Sequence, residues 1–298
     1  GGSAIGGDLL HSLIFQVGKP MVFVHRDYDL PAFVDNRTLV VGSSYSGNTE
    51  ETLSAFSQAL KSDCKKLVLT SGGKLKLLAE DANVPVFLID VVVPPRAALA
   101  YSFLPLVALL QKMGFIPDKT TEVEAMIRDL EDFCRELGES VPIDSNRAKQ
   151  LAIKLHGRIA VIYGAGILSE VARRWKTQLN ENSKTWAFHE LFPELNHNAV
   201  VGYQFPQELA PRIYVVLLHS SLLHPRILIR YQATCELLKQ RGVSHEIVNS
   251  HGQIELSHLM SLVFLGDWVS YYLALLYGTD PTPVEAIEYL KKQMREVK

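Results

Sequence analysis

Short runs of branched aliphatic residues alternate with helical patterns along the 298-residue chain, and no other feature restricts its fold as strongly. Strands are expected at residues 22–24, 38–41, 66–70 and 84–89, with helices between them at 8–16, 49–60 and 74–80. The runs are apolar enough to be buried on both faces, which is the habit of parallel strands. Helical patterns at 96–113 and 121–137 follow, and residues 138–142 read as a linker. The rhythm then restarts with a strand at 158–163, a glycine turn and a helix from Leu168. Further strands are expected at 212–218 and 245–249, with helices at 225–240, 256–277 and 283 to the end. Repeated strand–helix alternation specifies an α/β fold with doubly wound, flavodoxin-like parallel sheets flanked by helices. Two such domains are expected, 1–140 and 141–298.

Composition removes several classes of function. Thirty Lys and Arg against thirty-two Asp and Glu leave a net charge of −2, so no basic excess invites nucleic acid or an anionic membrane surface. Three widely spaced cysteines, Cys64, Cys134 and Cys235, suit a reducing compartment better than a disulfide framework or a zinc site. No leader-like pattern opens the chain, and a cytoplasmic location is expected. The most membrane-like stretch, 256–278, carries His258 and Asp267 and reads as a buried helix of a soluble protein.

The segment Gly42-Ser43-Ser44-Tyr45-Ser46-Gly47-Asn48-Thr49-Glu50-Glu51-Thr52 follows a buried strand and opens a helix. A helix start offers unpaired N–H groups and partial positive charge, and Ser44, Ser46 and Thr49 add hydroxyls there. Such a turn can hold a phosphate. It can equally be an ordinary helix start, with Asn48 as the cap and Glu51 as its capping-box partner. Gly1-Gly2-Ser3 and Thr70-Ser71-Gly72-Gly73 occupy comparable strand-to-helix positions, so three such turns would line one crevice. None contains a Gly-Lys-Ser/Thr motif, which points to a small phosphorylated metabolite rather than a nucleoside triphosphate. Gly164-Ala165-Gly166-Ile167-Leu168-Ser169 matches part of a dinucleotide fingerprint, with Glu190 near the spacing of a ribose-binding acid, but Ser169 replaces the third glycine.

With Ser44-Tyr45-Ser46-Gly47-Asn48-Thr49 in hand, the sequence resembles sugar isomerase (SIS) domain proteins. Further segments narrow the resemblance to the bifunctional phosphoglucose/phosphomannose isomerase family. They are Gly1-Gly2-Ser3, Pro95-Arg96-Ala97-Ala98-Leu99, Asn180-Glu181-Asn182-Ser183-Lys184, Pro193-Glu194-Leu195-Asn196-His197-Asn198 and the tail from Asp280-Pro281 through Leu290-Lys291. The resemblance also places several tens of residues, including a strand, upstream of this glycine turn. It implies two SIS domains and interconversion of glucose 6-phosphate, and mannose 6-phosphate, with fructose 6-phosphate through an enediol. By the same resemblance Glu181 is the catalytic base, His197 opens the sugar ring from the partner subunit of a homodimer, Arg96 lies beside the reacting carbons, and Lys291 assists near the ring oxygen. Gly2, Ser3, Ser44, Ser46 and Thr49 would hold the phosphate, and Thr282 would govern tolerance of the mannose epimer. Neither a cofactor nor a metal is expected.

These residue types suit the chemistry. A positioned carboxylate can move a proton between C2 and C1, an arginine can stabilise the enediolate, and histidine exchanges protons near neutral pH. Each also has a plain structural reading. Glu181 can be a solvated helix-end acid, His197 a turn residue and Arg96 a loop cation, while Lys291 and Lys292 with Glu285 and Glu288 can form a solvated helix face. Glu194 is the nearest rival base. A regulator that holds a sugar phosphate without turning it over would share the phosphate turns and have no use for Glu181, His197 and Lys291 together.

Overall fold

The computed structural model describes residues 2–15, 18 and 20–296. Gly1 lies outside them, as do Gln16 and the final residues of the last expected helix. The chain divides into two compact units, Gly1–Lys119 and Thr120–Lys298.

The first unit opens with α1 (Gly2–Ile14) and continues through β1 (Leu39–Ser43), α2 (Glu50–Ala59), β2 (Lys65–Thr70), α3 (Gly73–Asp81), β3 (Val86–Leu88) and α4 (Leu99–Lys112). Its strands form a parallel sheet in the order β1-β2-β3. Phe56 and Leu75, from the flanking helices, close on Val68 of the central strand to form the core. The strand expected at 22–24 does not form. Its backbone is engaged by a side chain of α1 instead, the Val22 carbonyl lying 2.9 Å from His11 Nδ1. The Arg26–Asp8 ion pair holds the same stretch, and Met21 and Phe23 face solvent.

The second unit comprises α5 (Thr120–Leu137), α6 (Arg147–Leu155), β4 (Ile159–Gly164), α7 (Ser169–Glu181), β5 (Ala187–Leu191), β6 (Ile213–His219), α8 (Pro225–Gln240), β7 (Ser244–Asn249), α9 (Glu255–Leu276) and α10 (Glu285–Glu296). Its sheet is parallel throughout, in the order β5-β4-β6-β7. Helix α9 is apolar around its whole circumference, the mark of a helix surrounded by others. It is long and apolar enough to cross a membrane, but 67% of its most apolar window is buried within the protein. Helices α5, α6 and α7 pack against it. The Trp175 indole N–H donates to the Leu262 carbonyl, and the Tyr272 hydroxyl donates to the Leu137 carbonyl at the end of α5. Those contacts place α5 with the second unit, whereas the sequence division at 140/141 groups it with the first. Helix α6 and strand β5 form where the sequence reading expects neither.

Candidate active site

In the first unit, three chain segments interlock at the carboxyl edge of the sheet. The Tyr45 N–H donates to Ser3 Oγ at 2.9 Å, joining the start of α1 to the turn after β1. The Tyr45 carbonyl accepts from the Ser71 N–H and hydroxyl at 2.9 and 2.6 Å, joining that turn to the one after β2. The Tyr45 hydroxyl donates to the Val91 carbonyl and accepts from the Val93 N–H, reaching the segment before Arg96. Gly2 packs against Pro95 and Arg96 so closely that an added Cβ would lie 3.1 Å from the Pro95 carbonyl oxygen. Gly2, Ser3, Ser44, Ser46, Thr49 and Arg96 thus belong to one tightly tied region. Gly1 of the expected glycine turn lies outside the described residues.

Two glycines make this packing possible. Gly47 has φ +64°, and a Cβ there would stand 1.8 Å from the Gly72 carbonyl oxygen. Gly73 has φ +71°, and its Cβ would meet the Ser46 carbonyl oxygen at 2.4 Å. Left-handed backbone combined with such close approach excludes any other residue without rearrangement.

The plain helix-start reading of this turn is corrected by the structure. Thr49, not Asn48, caps α2, and its side chain makes no cap hydrogen bond. Its hydroxyl pairs with the buried Ser44 hydroxyl at 2.8 Å, while Asn48 Oδ1 accepts from the Lys74 N–H. The first turn of α2 therefore carries no side-chain cap, and the Ser46 and Thr49 side chains are exposed beside it.

In the second unit, Glu181 is the last residue of α7 and is partly buried. Helix α7 runs back from the carboxyl end of β4, so its final turn lies at the edge where the strands begin. Among the described residues no hydrogen bond or ion pair occupies the Glu181 carboxylate. The rival base is engaged: Asn198 Nδ2 donates to Glu194 Oε1 at 3.0 Å. The turn after Glu181 is riveted to α9, with Asn182 Nδ2 donating to Ser270 Oγ and the Ser183 hydroxyl donating to the Ser270 carbonyl. Deeper in the same helix pair, Arg174 and Gln178 both donate to the Asp267 carboxylate. Lys184 then reaches the tail, donating to carbonyls on either side of Thr282.

Within this unit, His197 lies apart from Glu181. His197 is exposed in a 3-10 turn, Glu194–His197, that begins beyond the carboxyl end of β5. Strand β5 spans Ala187–Leu191, or about 17 Å at the usual rise, so the two ends of the sheet separate Glu181 from His197. Lys291 is exposed on α10 and pairs with Glu288 at 2.7 Å, the solvated-face arrangement. The glycine turn after β4 serves packing: a Cβ on Gly164 would meet the Leu168 carbonyl oxygen at 2.6 Å and the Ala172 methyl at 2.8 Å. Among the described residues no group of three His, Cys, Asp or Glu side chains is arranged to hold a metal.

Sequence reasoning assigned no role to Lys184, Asn182, Ser270 or Tyr45. Lys184 and Asn182 sit inside a motif that it recognised, but their distant partners lie 88–99 residues away along the chain.

Comparisons with known proteins bear on the family and the fold. A model of the bacterial phospho-glucose isomerase C-terminal SIS domain matches residues 144–294. The chain is 44% identical to a bifunctional phosphoglucose/phosphomannose isomerase of Caldicellulosiruptor bescii, covering 100% of this chain and 88% of that one. A protein of the same name from Aquifex aeolicus is 36% identical, with 99% of this chain and 88% of that one covered. Among solved structures, a hypothetical protein from Thermus thermophilus superposes with a TM-score of 0.76 at 19% identity, over 99% of this chain and 81% of that one, and so shares the fold. Identities of 44% and 36% across essentially the whole of this chain, with the matched SIS-domain model, lead to one statement: this chain belongs to the bifunctional phosphoglucose/phosphomannose isomerase family.

Proposed function

We propose that this protein interconverts glucose 6-phosphate, and mannose 6-phosphate, with fructose 6-phosphate by moving a proton between C2 and C1 through an enediol. The observation that carries this reading is the state of Glu181, a partly buried residue whose carboxylate has no bond among the described residues and which precedes a turn fixed by the Asn182–Ser270 and Ser183–Ser270 bonds. A base must be oriented and have its lone pairs available, and the rival Glu194 is exposed and accepts from Asn198. The Ser46 and Thr49 side chains with the uncapped start of α2 suit the substrate phosphate. Arg96, always protonated, suits the enediolate, and Thr282 suits the C2 epimer choice. We read the two compact units as two SIS-type domains, and the three free cysteines suit a cytoplasmic protein.

The protein acts as a homodimer in this reading. Glu181 and His197 face opposite edges of one sheet, so a sugar placed at Glu181 of one copy needs the imidazole of another. The crossover that begins at His197 leaves part of a sheet face uncovered. Phe188 of β5 lies level with Val161, which faces Phe205 of that crossover, and Trp186, Phe188, Val201 and Phe205 are 75%, 47%, 64% and 74% exposed. Large apolar side chains left exposed in this way suit a surface that a second copy would cover.

Turnover of both aldose phosphates, followed by hydrogen isotope exchange at C2, tests the reading. Changing Glu181 to Gln is expected to lower kcat by about 10² to 10⁴ with sugar-phosphate binding retained. Near-normal turnover in that variant would remove Glu181 from the role. Binding of fructose 6-phosphate by the unaltered protein without exchange would instead identify a non-catalytic regulator.

A further inference from the structure

Lys184 stands at a conformation that its residue type does not favour. Its φ is +56°, in the left-handed region just past the end of α7, where glycine is the usual helix-terminating residue. The side chain supplies the compensating contacts. Its ammonium donates to the Glu181 carbonyl at 2.6 Å, the Pro283 carbonyl at 2.7 Å and the Pro281 carbonyl at 3.2 Å. An ammonium has three N–H donors, and each of these carbonyls can take one. One accepting carbonyl belongs to the residue proposed as the base. The other two flank Thr282, whose own N–H donates to Asp280 Oδ1. Beyond the loop, no residue of α10 is buried.

We propose that Lys184 is a positioning residue, pinning the Thr282 loop to the carbonyl end of the helix that presents Glu181. The role rests on the isomerase reading above. It goes beyond that reading by making the placement of Thr282 depend on a side chain outside the reacting set. Loss of the clasp frees the loop while leaving α7, held by its bonds to α9, in place.

Two substitutions separate this role from a purely conformational one. Lys184→Gly relieves the left-handed backbone and removes the ammonium, whereas Lys184→Met keeps the aliphatic stem and removes only the charged donors. In both variants amide hydrogen exchange at Thr282 and residues 284–288 is expected to quicken by about tenfold or more, while exchange within α7 and α9 stays unchanged. The ratio of kcat/KM for mannose 6-phosphate to that for glucose 6-phosphate is expected to fall by about threefold or more in both. Lys184→Arg, which retains several donors, should recover part of the protection and of the ratio. Exchange at the unaltered rate in Lys184→Gly and Lys184→Met would overturn the clasp. Faster exchange with both kinetic constants unchanged would overturn the positioning role. An unaltered protein that isomerises neither sugar would overturn the isomerase reading and this role with it, and the exchange data would still report whether the clasp forms.

Discussion

The two units share a parallel sheet with strand-to-helix turns, yet they use those turns differently. In the first, the turns after β1 and β2 are built of hydroxyls and glycines that grip one another through backbone groups and leave Ser46 and Thr49 at the surface. In the second, the corresponding turns close on themselves. The buried Ser220 hydroxyl donates to His258 Nδ1 at 2.7 Å and accepts the Leu222 N–H, while His258 Nε2 donates to the Gly252 carbonyl. Gly164 brings strand and helix together where a ligand would otherwise approach. The chemically distinctive acid of that unit, Glu181, stands at the other edge. The turn residues bond one another in both units, and the difference lies in exposure: Ser46 and Thr49 stand at the surface, whereas Ser220 and His258 are buried.

The comparison can be broken at Gly47. Replacing it with Ala adds a Cβ 1.8 Å from the Gly72 carbonyl and forces a left-handed residue, so the first unit should lose about 2–4 kcal/mol, read by denaturant unfolding. A smaller contrast comes from paired hydroxyl deletions. Thr49→Ala should raise KM about tenfold with little change in stability, the size of one hydrogen bond to a charged group. Ser220→Ala should do the reverse, costing about 1–3 kcal/mol of stability by stranding the buried His258 acceptor, with KM unchanged. If both variants altered KM alike, the second unit's turn would be open to ligand after all.

The smallest expected effect concerns pH. Burial holds the His189 imidazole below its ordinary value of 6.5, and the nearby Arg173 and Lys176 charges act in the same direction. The folded protein then takes up this proton less readily than the unfolded chain. Stability from this group is fully present above pH 6.5 and is lost as pH falls toward the lower folded value. His189→Gln should therefore flatten the acid side of a stability profile between pH 7 and pH 5. An unchanged profile would assign that slope to other groups, such as the similarly lowered His219.

Much of this organisation is legible in the sequence, for identifiable reasons. Helix α8 begins at Pro225, an N1 proline that announces its own position, while β2 is centred on Leu67-Val68-Leu69 and β6 runs apolar from Ile213 to Leu218. The Ser44–Thr49 turn is visible because hydroxyls and a glycine cluster between a strand and a helix. Strand β5 is not, because it is a short edge strand with exposed Phe188 and Glu190 alternating with His189, a pattern too brief to separate from a loop. Residues 22–24 mislead in the other direction. Their branched residues resemble a strand, but the chain there pairs with His11 and Asp8 of α1. The role of Lys184 is invisible locally, since nothing in Asn-Glu-Asn-Ser-Lys reveals a left-handed backbone or carbonyls contributed from residues 281 and 283.

The placement of Glu181 and His197 at opposite ends of one sheet has a genetic corollary. If the proposed homodimer shares its site in this way, a cell that carries one gene copy without the acid and another without the imidazole would still assemble mixed pairs in which a single pocket is whole. Each defect would be recessive to the other, and growth would return where either mutant alone starves.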